Sequence, residues 1–86
     1  MEYSLVEKIL GNGRITCYCF DGKIRIGRIR GKLIRRMFIS VGDLILVCPH
    51  DYEGDKCDVL MKYESEEVRQ LKNTNEIPES IKVSDN

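Results

Sequence analysis

Eight basic side chains fall between positions 14 and 36: Arg14, Lys23, Arg25, Arg28, Arg30, Lys32, Arg35 and Arg36, with Asp21 the one acid among them. That segment carries +7, residues 1–13 carry −1 and residues 37–86 carry −6, so the zero net charge hides a separation of sign. A concentrated basic face is the electrostatic footprint of polyanion binding. Guanidinium groups suit it because their planar fork matches a phosphate in a bidentate way. Tyr18, inside the basic segment, and Phe38, just beyond it, are aromatic surfaces on which unpaired bases can stack. Two plainer readings compete. The basic and acidic segments could fold against each other and cancel, and Phe38 could be buried beneath the segment that carries it.

Catalysis has little to draw on. His50 is the only histidine and follows Pro49. To activate a nucleophile it would need Cys48 or Cys57 at hydrogen-bond reach and a third group to orient it. Gly11-Asn12-Gly13-Arg14 lacks the Gly-Lys-Ser/Thr ending that holds phosphate and magnesium, and the carboxylates are scattered. The four cysteines, Cys17, Cys19, Cys48 and Cys57, lack the paired C-x2-C spacing of structural zinc. They are expected to fill core as small apolar side chains. The expectation is a binding protein with no catalytic residue, metal or cofactor.

These residues must be carried by strands. Residues 3–10 (YSLVEKIL) are apolar and β-favouring, and Asn12-Gly13 supplies a tight hairpin turn. Residues 14–20 alternate Ile15, Cys17 and Cys19 against Arg14, Thr16 and Tyr18. Asp21-Gly22 reads as a second hairpin of the same kind. Residues 24–30 then alternate Ile24 and Ile26 against Arg25, until Gly27 breaks the phase in the manner of a bulge or bend. From 31 to 43 the apolar period lengthens to i, i+4 pairs, Leu33 with Met37 and Ile34 with Phe38, which fits a short helical segment. Residues 44–48 (LILVC) form an apolar strand ended by Pro49. Residues 56–63 alternate Cys57, Val59, Met61 and Tyr63 against their neighbours, with Leu60 out of phase. A closing helix has Ser65 as its N-cap, acids Glu66 and Glu67 in its first turn, and Asn73-Thr74-Asn75 at its end. Ile77, Ile81 and Val83 are available to pack back on the domain.

Eighty-six residues at 10.0 kDa make one domain, too small for a doubly wound α/β enzyme. A hydrophobic share of 42% with 33% charged is globular. No apolar run approaches the ~18–20 residues of a membrane span, and no signal peptide opens the chain, so a soluble cytoplasmic protein is expected. The order of three meander strands, a helical link, two strands and a helix is that of an all-β, five-stranded OB barrel, with small SH3-like barrels as the alternative. Residues 1–63 would form the RNA-binding barrel, and residues 64–86 the C-terminal helix and packing tail of the same domain.

Four words of the sequence then line up: Leu10-Gly11-Asn12-Gly13-Arg14, Cys19-Phe20-Asp21-Gly22, Ile29-Arg30-Gly31-Lys32-Leu33, and Asp51-Tyr52 followed by residues 56–63, KCDVLMKY. In order and spacing they closely resemble the eukaryotic and archaeal translation initiation factor 1A family, from about Glu2 to Val83. The resemblance implies an OB fold, binding to the small ribosomal subunit near the decoding A site, and help with initiator tRNA recruitment and mRNA scanning. The implied partners are rRNA, the initiator-tRNA-containing pre-initiation complex and other initiation factors, met by a monomer. It places RNA-facing cations at Arg14, Arg25, Arg30, Lys32, Arg35 and Arg36. Arg28 and Phe38 fall where the family often has His or Arg and Trp. Eukaryotic members usually add a basic, Gly-rich N-terminal tail and a long acidic C-terminal tail, through which the family meets the GTPase initiation factor 5B. The 86 residues contain neither. A generic single-strand RNA binder and a protein–protein module with an acidic partner are the alternative functions. A cold-shock type of single-strand reader is the weaker variant, because it needs clustered aromatics and only 7% of residues here are aromatic.

Overall fold

The computed structural model describes residues 1–34 and 37–84. Five strands, β1 (Glu2–Gly11), β2 (Arg14–Cys19), β3 (Ile24–Ile29), β4 (Leu44–Pro49) and β5 (Lys56–Lys62), close into a barrel in the order β1-β2-β3-β5-β4. All pairings are antiparallel except β3 with β5, which run parallel from Ile26 opposite Lys56 to Ile29 opposite Val59. This is the expected OB architecture. Helix α1 (Gly31–Ile34) lies between β3 and β4, and α2 (Ser65–Asn73) follows β5. No helix among the described residues is long and apolar enough to cross a membrane.

The strand phases follow from the turns. Asn12 and Gly13 both have positive φ, 53° and 72°, giving the two-residue turn that the sequence predicts. The second turn departs from expectation. Cys19 N–H donates to Lys23 O (2.8 Å) and Gly22 N–H to Cys19 O (2.9 Å), so the loop is the three residues Phe20-Asp21-Gly22. Of these only Gly22 takes a positive φ, 92°. A two-residue Asp21-Gly22 turn would set Cys17 opposite Ile26. The observed register sets Cys17 opposite Arg25 and Tyr18 opposite Ile24. Because side chains alternate with period two, this one-residue difference turns the whole of β3 over. Arg25 and Gly27 face the interior, and Ile24 and Ile26 face out.

The barrel interior is filled by Val6, Ile15, Cys17, Cys19, Ile45, Val47, Cys57 and Val59. The space is tight. A Cβ on Gly27 would sit 3.1 Å from Val59 Cγ2 and 3.2 Å from Ile15 Cγ1, so glycine is required for room rather than for its backbone angle. Cys17 Sγ and Cys57 Sγ lie 3.7 Å apart in the same space. Three of the four cysteines thus fill core as expected. Cys48 is the exception, exposed on the outer face of β4. Iodoacetamide is therefore expected to modify Cys48 alone in the native protein and all four thiols after denaturation, as counted by intact mass. Native labelling of Cys17 would show that the interior opens.

A second apolar cluster covers one outer side of the barrel, where Leu44, Val68 and Ile77 are buried with Tyr3, Leu5, Phe20, Tyr63, Leu71 and Val83 around them. The N-cap of α2 is Glu64, not Ser65: Glu64 and Glu67 form a reciprocal capping box. The helix ends as predicted. Asn75 has φ 62°, its N–H reaches Lys72 O, and Glu76 N–H reaches Leu71 O, which together make a Schellman motif. The tail then packs back, with Ile77 buried and Ser84 N–H donating to Gly42 O at 2.9 Å.

Candidate nucleic-acid interface

The outer face of β2 and β3 is built from cross-strand pairs. Arg14 stands opposite Arg28, Thr16 opposite Ile26, and Tyr18 opposite Ile24. Tyr18, Ile24 and Ile26 are 43%, 58% and 38% exposed, so three large apolar side chains form a strip that water would ordinarily disfavour. Arg14 and Arg28 close one end of it, both exposed, and Arg30 and Lys32 continue on the exposed side of the β3–α1 junction. None of these four cations makes an ion pair with a described residue. Two like charges directly opposite in an antiparallel pair repel one another, so this arrangement costs stability unless an anion sits over it.

The parallel strand β5 borders the face on its far side. Arg28 is level with Asp58, and Asp58 is level with Cys48 on β4. His50 Nε2 contacts Asp58 Oδ2 at 3.3 Å, which engages the only histidine with a carboxylate across the β4–β5 pair. Cys48 Sγ donates to Pro49 O at 3.9 Å, and no hydrogen bond joins it to His50 among the described residues.

Arg25 is not on this face. It is 5% exposed, with Nη1 and Nη2 on the two oxygens of Asp21 at 3.1 and 2.8 Å and Nε on Gly54 O at 2.9 Å. Each partner stabilises the other's charge. The Arg25 guanidinium holds the Asp21 carboxyl below the usual carboxylate range, and Asp21 in turn raises Arg25. The outward placement expected from alternation is corrected by the turn length described above.

Phe38 is on the surface, 85% exposed, which settles the choice between core and surface for this side chain. Its carbonyl accepts a hydrogen bond from Lys62 Nζ at 2.7 Å. Leu33, Met37, Leu60 and Met61 line a shallow groove beside it. Leu60 and Met61 reach the surface because of a bulge: Val59 pairs with Val47 but Met61 with Leu46, leaving Leu60 unpaired. The sequence shows that irregularity as the break in alternation at Leu60, while Met61, expected inside, is 36% exposed. Arg35 and Arg36 lie outside the described residues. Ile24 and Ile26, which alternation assigns to the core, stand exposed on this candidate face. Tyr52, in the β4–β5 loop and part of the Asp51-Tyr52 word noted above, is fully exposed.

The family described as Translation initiation factor 1A / IF-1 matches residues 1–86. The chain is 47% identical over 83 residues to eukaryotic translation initiation factor 1A of Schizosaccharomyces pombe, covering 96% of this chain and 60% of that protein. The factor of the same name from Triticum aestivum is 42% identical over 84 residues, 98% of this chain and 58% of its own length. Translation initiation factor 1A of Sulfurisphaera tokodaii is 43% identical over 67 residues, 78% of this chain and 62% of its own. The chain thus spans about three fifths of the length of the curated relatives it matches.

Proposed function

The chain belongs to the translation initiation factor 1A family, and on that premise we propose that it docks on the small ribosomal subunit near the A site and assists initiator tRNA recruitment and mRNA scanning. It acts by binding, as a cytoplasmic monomer, within an assembly of rRNA, initiator tRNA and other initiation factors. The observation that carries the reading is the cation set Arg14, Arg28, Arg30 and Lys32, without an ion pair among the described residues, beside the exposed strip of Tyr18, Ile24 and Ile26. The cations neutralise phosphates and fix the register of the protein on RNA, while the strip accepts the flat faces of unpaired bases. Phe38, beyond Lys32, offers a second stacking surface.

Binding to purified small subunits across a salt series tests this. Four phosphate contacts at ~0.7–0.9 log units each per tenfold salt predict roughly a 50- to 150-fold loss between about 50 and 200 mM salt. Saturable, salt-steep binding far stronger than to random single strands supports the reading. Equal binding to any single strand points to a generic RNA binder. Absence of binding to either gives the cationic face to an acidic protein partner.

A further inference from the structure

The buried Arg25 stands apart from the other cations of its segment. A guanidinium is costly to remove from water, and here three of its nitrogens are satisfied inside the protein, two by Asp21 and one by Gly54 O. Those partners lie in different loops. Asp21 is in the β2–β3 turn, and Gly54 is in the loop between β4 and β5. The next residue repeats the tie, since Ile26 N–H donates to Asp55 O at 2.8 Å. Asp21 is itself oriented by the Lys23 N–H at 3.1 Å. The inward side chain has a geometric consequence for its neighbours. With Arg25 pointing in, Ile24 and Ile26 must point out, next to Tyr18 and Thr16.

We propose that Arg25 is a positioning residue for RNA docking: anchored on Asp21 and Gly54, it fixes the facing of β3 and so presents Ile24 and Ile26 beside Tyr18 as the platform for bases, without touching phosphate itself. The inference rests on the docking function proposed above and assigns a different role to one residue of the basic segment. It distinguishes an arginine from a lysine at this position. Lysine has a single ammonium and cannot hold both carboxylate oxygens and a carbonyl from a second loop in one plane.

The test compares Arg25→Lys, Arg25→Met and Asp21→Asn in small-subunit binding across a salt series, with Tyr18→Ala as the partner for double variants. Positioning predicts that Arg25→Lys fails nearly as badly as Arg25→Met, by roughly five- to 150-fold, the worth of one stacked base. The salt slope stays at the wild-type value, because no phosphate contact has gone. Added to Tyr18→Ala, either change costs much less than it does alone, since the platform is already broken. Asp21→Asn lowers affinity too, measured at about 0.3 M salt so that its lost charge is screened. It also loosens the Ile26 amide in hydrogen exchange, a reading that stands even where an Arg25 variant fails to fold. A direct phosphate contact predicts the reverse. Arg25→Lys would retain most of the binding, Arg25→Met would lower the slope by ~0.7–0.9, and Asp21→Asn would raise affinity by releasing the guanidinium; any of these overturns the proposal. Failure of the wild-type chain to bind subunits would overturn the docking function itself, and this inference with it.

Discussion

The double variant Arg14→Glu/Arg28→Glu is expected to lose small-subunit binding by roughly two to three orders of magnitude at about 0.1 M salt. Each phosphate contact contributes ~0.7–0.9 log units per tenfold salt, so, with about 1 M salt as the reference, removing two of them alone costs about 25- to 60-fold at about 0.1 M. Reversing the sign adds repulsion where attraction stood. The fold should survive, because both side chains are exposed and neither has an ion-pair partner among the described residues. Arg14→Glu places opposite charges across the β2–β3 pair where like charges now face each other, which should stabilise the barrel by roughly 0.2–1 kcal/mol. Binding and melting temperature are therefore expected to move in opposite directions. A variant that kept its affinity while becoming more stable would remove Arg14 from the interface.

The same pair of strands shows how far the sequence could be read and where reading stopped. β2 was fully legible: Ile15, Cys17 and Cys19 alternate cleanly with Arg14, Thr16 and Tyr18, and burial follows that alternation. The order of strands and helices was legible too, as was the Asn12-Gly13 turn. β3 was not, because its facing is set by a hydrogen-bonding choice in the preceding turn. Asp-Gly is compatible with a two-residue turn or with the end of a three-residue one, and the two differ by a single register step. Isoleucines at 24 and 26 made the wrong phase look better, since an apolar alternation is normally an inward one. What decides against it is the interior itself. It has no room beside Val59 and Ile15 for a side chain at position 27, while Arg25 finds a carboxylate and a carbonyl waiting inward. Neither fact is local in sequence. The exposed strip is thus a candidate surface that residue patterns hide, and the cations at its end are a candidate surface that they reveal.

Asp43→Ala is expected to be the most destabilising single substitution at a polar position, by about 3–5 kcal/mol, since it strands a partly buried lysine. In the sequence Val41-Gly42-Asp43 reads only as a turn. In the structure Asp43 is 1% exposed, and its Oδ2 accepts from the Ser40 N–H at 2.7 Å and contacts Lys62 Nζ at 3.2 Å. Its backbone carbonyl accepts from Val6 N–H at 3.0 Å, so one residue joins the link after α1 to β1 and β5. Lys62 has 12% of its side chain exposed and also donates to Phe38 O. Without the carboxylate its ammonium keeps one neutral acceptor and little water. A chain of 86 residues has a total stability of about 4–13 kcal/mol, so the variant should lose from about a quarter to all of it. Asp43→Asn keeps an acceptor for Ser40 and should cost less. Adding Lys62→Met to it removes the stranded charge and should recover part of the loss. Thermal melts of the three variants decide it: if Asp43→Asn/Lys62→Met melts below Asp43→Asn, the cost lies in lost packing around Lys62 rather than in a buried unpaired charge. The outcome also bears on the interface, because the lysine that Asp43 anchors holds the Phe38 backbone. Variants that remain folded but release Phe38 should bind subunits more weakly with an unchanged salt slope.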